Sequence, residues 1–192
     1  MSAARDSIIV KTCELLELQG YHATGLNQII KESGSPKGSL YHYFPGGKEE
    51  LAVESVEYIG GLVLQRIERH LAEVEAPDQA VRGFIEMVAA GVERADYRGG
   101  GPITTIALEV ASTSERLRKV CQGIYDSWRA LFADKLRAGG IDSMRAFQVG
   151  ALIVAALEGG IILARTERSP APLYAIAAEI GALIQMILSY NS

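Results

Sequence analysis

The sequence predicts an all-α protein of about nine helices. Through most of the chain, apolar residues recur three and four positions apart, which is the spacing of one face of a helix. Glycine, proline and short polar residues interrupt this pattern at intervals typical of helix lengths. We expect a small three-helix domain over residues 1–47 and a larger helical body over residues 48–192.

The composition indicates a globular cytoplasmic protein. The chain has 192 residues, of which 48% are hydrophobic, enough to bury a sizeable core. Cys13 and Cys121 are far apart in sequence, so we expect buried thiols in a reducing cytosol rather than a disulfide. Arg5-Asp6 leads into an amphipathic segment, which is unlike a signal peptide. The formal net charge of −4 argues against a general polyanion binder.

The first predicted helix covers residues 5–19 and ends at Gly20. The second covers residues 26–33, and the hydroxyl of Thr24 is placed to cap its first turn. Both helices carry one apolar face, as expected for helices that share a small core.

The segment from Leu26 to Lys48 reads as two short helices joined by a tight turn. Gly34 ends the first of them, and Pro36 suits the start of the next. In that next helix Leu40 and Phe44 are four residues apart and can face the core together. A helix this short is not stable alone, so the rest of the domain must hold it. This arrangement indicates a helix–turn–helix whose second helix enters the DNA major groove.

These residues resemble the TetR family of bacterial one-component repressors. The resemblance rests on Gly20-Tyr21, Thr24, the segment Gly34–Phe44 (GSPKGSLYHYF) and Lys48-Glu49-Glu50-Leu51. The segment 20–29, with Pro102-Ile103 and Glu158-Gly159-Gly160, is similar to the subgroup that contains the lincomycin-resistance repressor. The resemblance implies a homodimer that binds double-stranded operator DNA and is released by a small molecule.

Ten residues are predicted to contact DNA. Lys37 is either a solvated surface lysine or a contact to a phosphate or base edge, and its place at the start of the exposed helix favours the contact. Gly38 allows the backbone to approach the DNA closely. The resemblance implies phosphate contacts from the hydroxyls of Thr24, Tyr41 and Tyr43 and from Lys48. The full predicted set is Thr24, Ser35, Pro36, Lys37, Gly38, Ser39, Tyr41, His42, Tyr43 and Lys48.

The segment Pro45-Gly46-Gly47-Lys48 is a turn rather than a nucleotide-binding loop. It lacks the first glycine of that motif, and Glu49 stands where Ser or Thr is required. The following helix, 48–74, is the only covalent connection from the small domain into the body. Any signal from the body would therefore have to move this helix.

The middle of the chain predicts three helices. Asp78 is placed to cap a helix that runs to about residue 95. The glycines 99–101 before Pro102 are a hinge, a place where the backbone passes close to a ligand, or a simple surface loop, and a short helix follows over residues 103–111. The segment Ser112–Glu115 has the pattern of a capping box and predicts a helix to about Arg137.

The last two predicted helices, 143–165 and 171–190, are apolar on nearly all sides. Such helices are either buried or membrane-spanning. Each carries a carboxylate near its middle, Glu158 and Glu179, which is costly in a bilayer. We therefore expect no membrane insertion. The two helices are predicted to form a homodimer through a four-helix bundle, as the resemblance also implies.

The body is expected to enclose an effector cavity, as the resemblance implies. Each candidate could also be an ordinary core residue, and Glu158 could equally be an interface carboxylate. Because no cationic residue is among the candidates, we expect a neutral or cationic, apolar or aromatic ligand, such as an antibiotic or a flavonoid-like compound. The candidates are Met87, Ile106, Trp128, Phe132, Phe147, Ile153, Leu157 and Glu158.

The sequence thus predicts a ligand-responsive transcriptional repressor with no cofactor and no metal. An enzyme is disfavoured because His22, His42 and His70 lie outside the pocket candidates and form no nucleophile–base pair. His42 has no partner at metal-ligand spacing. An activator or a nucleoid-type binder remains an alternative to a repressor, because the sequence does not encode the sign of regulation.

Overall fold

The structure, a computed structural model, describes residues 3–99 and 101–190, and every regular element in those ranges is an α-helix. The helices are α1 (Ala3–Ala23), α2 (Leu26–Ser33), α3 (Lys37–Tyr43), α4 (Gly47–Glu73), α5 (Pro77–Arg94), α6 (Thr104–Val110), α7 (Glu115–Ala138), α8 (Ser143–Glu167) and α9 (Ala171–Tyr190). The all-α prediction is confirmed. Of the predicted glycine hinge, Gly100 lies outside the described residues.

The chain forms two compact units. The first contains the described residues 3–62 and 101–124, and the second contains 63–99 and 125–190. The first unit therefore includes α6, which packs against α1. The predicted boundary between residues 47 and 48 separates a DNA-binding domain from a ligand-binding body by function, and it stays a prediction.

In the first unit, α1, α2 and α3 pack around one apolar core. Ile8 of α1, Leu40 of α3 and Leu51 of α4 are fully buried there, together with Phe44. Burial of one such side chain stabilises the fold by about 1.5–3 kcal/mol. This core holds the seven-residue α3 in place, as the sequence predicts for a helix too short to be stable alone.

Helix α1 is longer than predicted and contains a kink. Gly20 has φ 80° and ψ 178°, so the predicted end of the helix coincides with a break, after which helical residues continue to Ala23. The positive φ lies in the region that only glycine adopts without strain.

The second unit is built on α5, α8 and α9. Helix α5 packs against both α8 and α9. The rings of Phe84 and Phe132 meet edge to face with centroids 5.6 Å apart, and Ile153 is fully buried. Gly150 lets α8 approach α7 closely, because a Cβ there would lie 2.8 Å from the carbonyl oxygen of Arg129.

Two predicted helix caps are wrong. Asp78 lies in the first turn of α5, whose N-cap is Ala76 and whose first residue is Pro77. At α7 the cap is Ser114 and not Ser112, because the hydroxyl of Ser114 accepts a hydrogen bond from the backbone N–H of Leu117 at 3.2 Å. At α5, Pro77 suits the first helical position because it has no N–H to satisfy.

Candidate nucleic-acid interface

The turn between α2 and α3 forms as its residues predict. Gly34 has φ 65° and ψ 13°, the left-handed conformation that ends many helices. Pro36 is the N-cap of α3, and its carbonyl oxygen accepts the backbone N–H of Ser39 at 2.9 Å. Leu40 and Phe44 are completely buried. The opposite face of α3 is therefore directed to solvent.

The exposed face of α3 carries a cation, a bare backbone and two rings. Lys37, Gly38, Tyr41 and His42 are exposed, and Pro36 precedes them. The side chain of Tyr41 is 47% exposed to solvent. A Cβ added at Gly38 would have no heavy atom within 4 Å. This face thus offers hydrogen-bond donors and, at Gly38, a backbone that DNA can approach closely, and both features suit binding to a duplex.

Four predicted contact residues are less available. Thr24 is buried, and its hydroxyl donates to the carbonyl oxygen of Gly20 at 2.6 Å. Gly25 is the N-cap of α2, so the predicted capping role of Thr24 is wrong. Ser35 is buried as well. Ser39 and Tyr43 are half-buried, and Tyr43 packs against the apolar core of the first unit.

Lys48 lies in the first turn of α4 and is already engaged. Its Nζ donates to the carbonyl oxygen of His22 at 3.3 Å and lies 4.5 Å from the centroid of the Tyr21 ring. Burial lowers the pKa of Lys48, and the negative charge of Glu109 acts in the opposite direction. An ammonium group has three N–H donors, so one bond to His22 leaves others for a phosphate.

Sequence reasoning missed a contact between α6 and the end of α1. The Oε2 atom of Glu109 accepts the backbone N–H of His22 at 2.9 Å, across 87 residues of sequence. No local pattern marks Glu109, because it occupies one position of a short helix. Co-variation of the two positions among homologues, or a three-dimensional structure, is needed to identify this contact.

The predicted effector residues fall in different environments. Trp128, Phe132, Ile153 and Leu157 are buried in the second unit, and Met87 is half-buried there. Ile106 is buried in the first unit. The expectation that Phe147 faces the interior is wrong for the single chain, because it is 59% exposed on α8. An all-apolar helix gives no sequence signal for which side is covered.

Glu158 is a half-buried carboxylate in α8 of the second unit. Burial raises its pKa to about 7. Its charge therefore changes within the physiological pH range, and a small change in surroundings shifts the balance between the neutral and charged forms.

The described residues contain no cluster of three or more His, Cys, Asp or Glu side chains that could hold a metal ion. Cys13 and Cys121 are both free thiols. The Sγ of Cys13 lies 3.3 Å from the carbonyl oxygen of Ser55, and burial raises the thiol pKa to about 12.

A groove of about 730 Å³ opens in the first unit between α1 and α4. Arg5 and Glu54 form an ion pair in it, and Ile9, Val10 and Tyr58 supply its apolar wall. None of the predicted effector residues lines this groove.

Helices α8 and α9 each retain an exposed apolar face. On α8 the exposed large side chains are Met144, Phe147, Leu152, Ile162 and Leu163, and on α9 they are Tyr174, Met186 and Tyr190. Both helices are long and apolar enough to cross a membrane by length and composition alone. In the single chain these apolar side chains are in contact with water, and contiguous exposed apolar surface is typical of interaction sites.

Comparisons with known proteins agree with this geometry. Residues 8–54 match the bacterial regulatory proteins of the tetR family, and residues 77–179 match the C-terminal domain of LmrA/YxaF-like transcriptional regulators. The chain is 45% identical over 182 residues to the HTH-type transcriptional regulator YxaF of Bacillus subtilis (strain 168), covering 95% of each chain. It is 37% identical to the HTH-type transcriptional regulator LmrA of the same strain, covering 95% of this chain and 97% of that one. The crystal structure of a regulatory protein TetR from Rhodobacter sphaeroides has the same fold, with a TM-score of 0.84, 24% identity and coverage of 94% and 98%.

Proposed function

Because the chain belongs to the TetR family of helix–turn–helix transcriptional regulators, with a C-terminal domain of the LmrA/YxaF-like type, we propose that it is a homodimeric repressor of the cytoplasm. In this proposal it binds a pseudo-palindromic operator, and a small apolar or aromatic effector in the body releases it. The family is one of transcriptional regulators rather than enzymes.

The exposed face of α3 is the observation that carries the DNA-binding proposal. Lys37 and Tyr41 are four residues apart and lie on one side of the helix with Gly38 and His42. Lys37 would contact a phosphate or a base edge, and Gly38 would let the helix backbone approach the groove. Tyr41 would donate its hydroxyl to a phosphate.

Contacts from neighbouring residues would complete the interface. Lys48 keeps N–H donors for a phosphate beyond the one that it gives to His22. Residues 1–50 contain five basic and six acidic side chains, so ionic contacts are few. We therefore propose that hydroxyl and backbone N–H donors supply much of the phosphate binding and that salt weakens binding only modestly.

The homodimer is proposed from the exposed apolar faces of α8 and α9. A second copy would cover Phe147 and Leu152 of α8 and Tyr174 and Met186 of α9, all of them exposed in the single chain. Gly159 has open space around it, so two copies of α8 can approach closely there. The two recognition helices would then meet major-groove sites about 34–36 Å apart, or a pitch-related multiple.

The effector would act through the body. Trp128, Phe132 and Leu157 provide apolar surface in the second unit, and Glu158 provides a carboxylate that is neutral or charged near pH 7. These groups suit a flat, apolar, neutral or cationic compound. By linkage, effector and operator weaken each other equally, and a 10- to 100-fold release requires about 1.4–2.7 kcal/mol of coupling.

The direct test selects duplexes from a random pool with the wild-type protein and measures their affinity by fluorescence anisotropy. We expect enrichment of a pseudo-palindrome and binding by a dimer. Lys37→Ala should weaken binding to the enriched duplex by about 1–3 kcal/mol, with unchanged helicity and dimer mass. Lys31→Ala, an exposed lysine of α2, is the matched control. Equal affinity of Lys37→Ala and wild type would refute the assignment of α3 as the recognition helix.

A further inference from the structure

We propose that Glu109 is a positioning residue that holds the end of α1 to α6 and thereby transmits movement of α6 to the DNA-binding helices. This inference rests on the proposed function, because it describes how the body and the DNA-binding helices communicate. Helices α1 and α6 belong to the same compact unit and pack against each other. The contact between them is specific rather than only apolar.

The carboxylate of Glu109 makes a polar contact with the backbone of α1. Glu109 Oε2 accepts the backbone N–H of His22 at 2.9 Å. That N–H lies two residues after the kink at Gly20, whose φ and ψ are not helical. A carboxylate bonded to a backbone N–H is a stronger acceptor than a neutral oxygen. Glu109 therefore binds the backbone of α1 directly beyond its kink.

The carboxylate of Glu109 occupies the space next to Gly20 where a larger residue would place its side chain. A Cβ at this position would lie 1.8 Å from Glu109 Oε1, so no side chain larger than hydrogen fits while the carboxylate is seated. The positive φ of Gly20 independently requires glycine. Gly20 thus provides both the bend that presents the His22 N–H and the gap that the carboxylate fills.

His22 is bound by α4 as well as by α6. Lys48 of α4 donates to the carbonyl oxygen of His22, so α6 binds the N–H and α4 binds the C=O of one residue. Ser114, which caps α7, donates to Glu49 Oε1 of α4 at 2.5 Å. Residue 22 therefore joins α1, α4 and α6.

This joint lies beside the helix–turn–helix. The hydroxyl of Thr24 binds the carbonyl oxygen of Gly20, and α2 begins two residues after Thr24. Gln19 also donates to Gln28 of α2 at 2.9 Å. A displacement of α6 would pull on His22 and, through Thr24 and Gln19, on α2.

Hydrogen exchange detected by mass spectrometry tests this role without a known effector. The probe is the duplex that wild-type protein enriches from a random pool. In the wild type, duplex binding should slow exchange in two segments, residues 37–44 of α3 and residues 104–110 of α6, because coupling is reciprocal. In Glu109→Ala, duplex binding should still slow exchange at residues 37–44 but should no longer slow exchange at residues 104–110.

Exchange in the free protein gives a second readout. Glu109→Ala should speed exchange of the amides at residues 21–24 by about fivefold, which corresponds to about 1 kcal/mol. Glu109→Gln keeps an acceptor oxygen, so its exchange rate at residues 21–24 should lie between those of Glu109→Ala and the wild type. Glu68→Ala and Glu68→Gln, at an exposed position of α4, are the matched controls for loss of one charge.

Each outcome decides a separate question. Failure of the wild type to enrich any duplex would refute the proposed DNA-binding function itself, and absence of protection at residues 37–44 would refute α3 as the helix that contacts DNA. Protection at 37–44 together with wild-type protection at 104–110 in Glu109→Ala would refute the role of Glu109 while leaving DNA binding intact. Circular dichroism confirms that the variants are folded.

Discussion

Replacing Gly20 with alanine should weaken the fold by two separate effects. Gly20 has φ 80°, where an L side chain is strained. The new Cβ would also lie 1.8 Å from Glu109 Oε1. That oxygen is at the end of a flexible side chain, so the carboxylate can rotate away. The cost of the collision is then the lost hydrogen bond to the His22 N–H, rather than a rigid clash.

The expected magnitudes follow from these two effects. The backbone conformation of Gly20, with φ 80° and ψ 178°, is adopted almost only by glycine and costs an alanine about 1–3 kcal/mol. A hydrogen bond to a charged group contributes about 1.5–3 kcal/mol, and we take about 1 kcal/mol here because Glu109 is only half-buried. The free energy of unfolding of Gly20→Ala should therefore fall by about 2–4 kcal/mol.

Gly34→Ala is the comparison variant, because it strains a backbone with positive φ without disturbing a neighbouring side chain. Gly34 has φ 65° at the end of α2, and a Cβ there would have no heavy atom within 4 Å. It should lose only the conformational part, about 1–2 kcal/mol. Urea unfolding followed by circular dichroism, at one fixed protein concentration, measures both variants. If Gly20→Ala is no less stable than Gly34→Ala, the carboxylate contact contributes nothing and the reasoning is refuted.

Three further predictions concern the second unit, the proposed dimer and the thiols. Burial raises the pKa of Glu158 to about 7, so its neutral form is preferred in the folded state. The free energy of unfolding should fall as pH rises from about 4.5 to 7, and Glu158→Gln should remove that part of the decline in urea titrations at several pH values. Ala182→Glu, on the exposed face of α9, should reduce the mass measured by light scattering from dimer to monomer. The pKa of Cys13 is raised to about 12, so its thiol should react with Ellman's reagent at pH 8 only after unfolding.

Each of these has its own control. Glu68→Gln, at an exposed position, should leave the pH dependence of stability unchanged, and an unchanged slope in Glu158→Gln would contradict the assignment to Glu158. Ala72→Glu, also exposed, should leave the mass unchanged, and a dimeric Ala182→Glu protein would argue for a different interface. Cys13→Ser identifies which thiol reacts, and rapid reaction of the native Cys13 would contradict its burial.

The helix pattern and the helix–turn–helix were predictable because their signals are local. Gly34, Pro36, Leu40 and Phe44 are within eleven positions of one another, and each has a conformational or packing preference that agrees with the others. The helices 143–165 and 171–190 were predicted close to the observed α8 and α9 for the same reason. Agreement among neighbouring preferences is what allows a sequence to be interpreted without a structure.

The caps show where local signals compete. Ser112 and Ser114 are both suitable N-caps, and Glu115 stands three residues after the first of them. The structure uses Ser114, whose hydroxyl also donates to Glu49 on α4. That tertiary partner is 65 residues away in sequence, so the pattern around residue 114 does not reveal it. At Thr24, likewise, the hydroxyl binds the carbonyl oxygen of Gly20 instead of capping α2.

The exposed residues of α9 bear on the choice between a membrane and a second protein chain. Tyr174 and Met186 are apolar, but Glu179 and Gln185 are exposed on the same helix. A charged carboxylate facing lipid would cost a few kcal/mol or more, whereas at a protein interface it can be paired or solvated at the rim. The small exposed residues Ala178 and Ala182 favour close packing of helices in either case. The polar positions therefore favour a protein surface rather than a bilayer as the partner of this face.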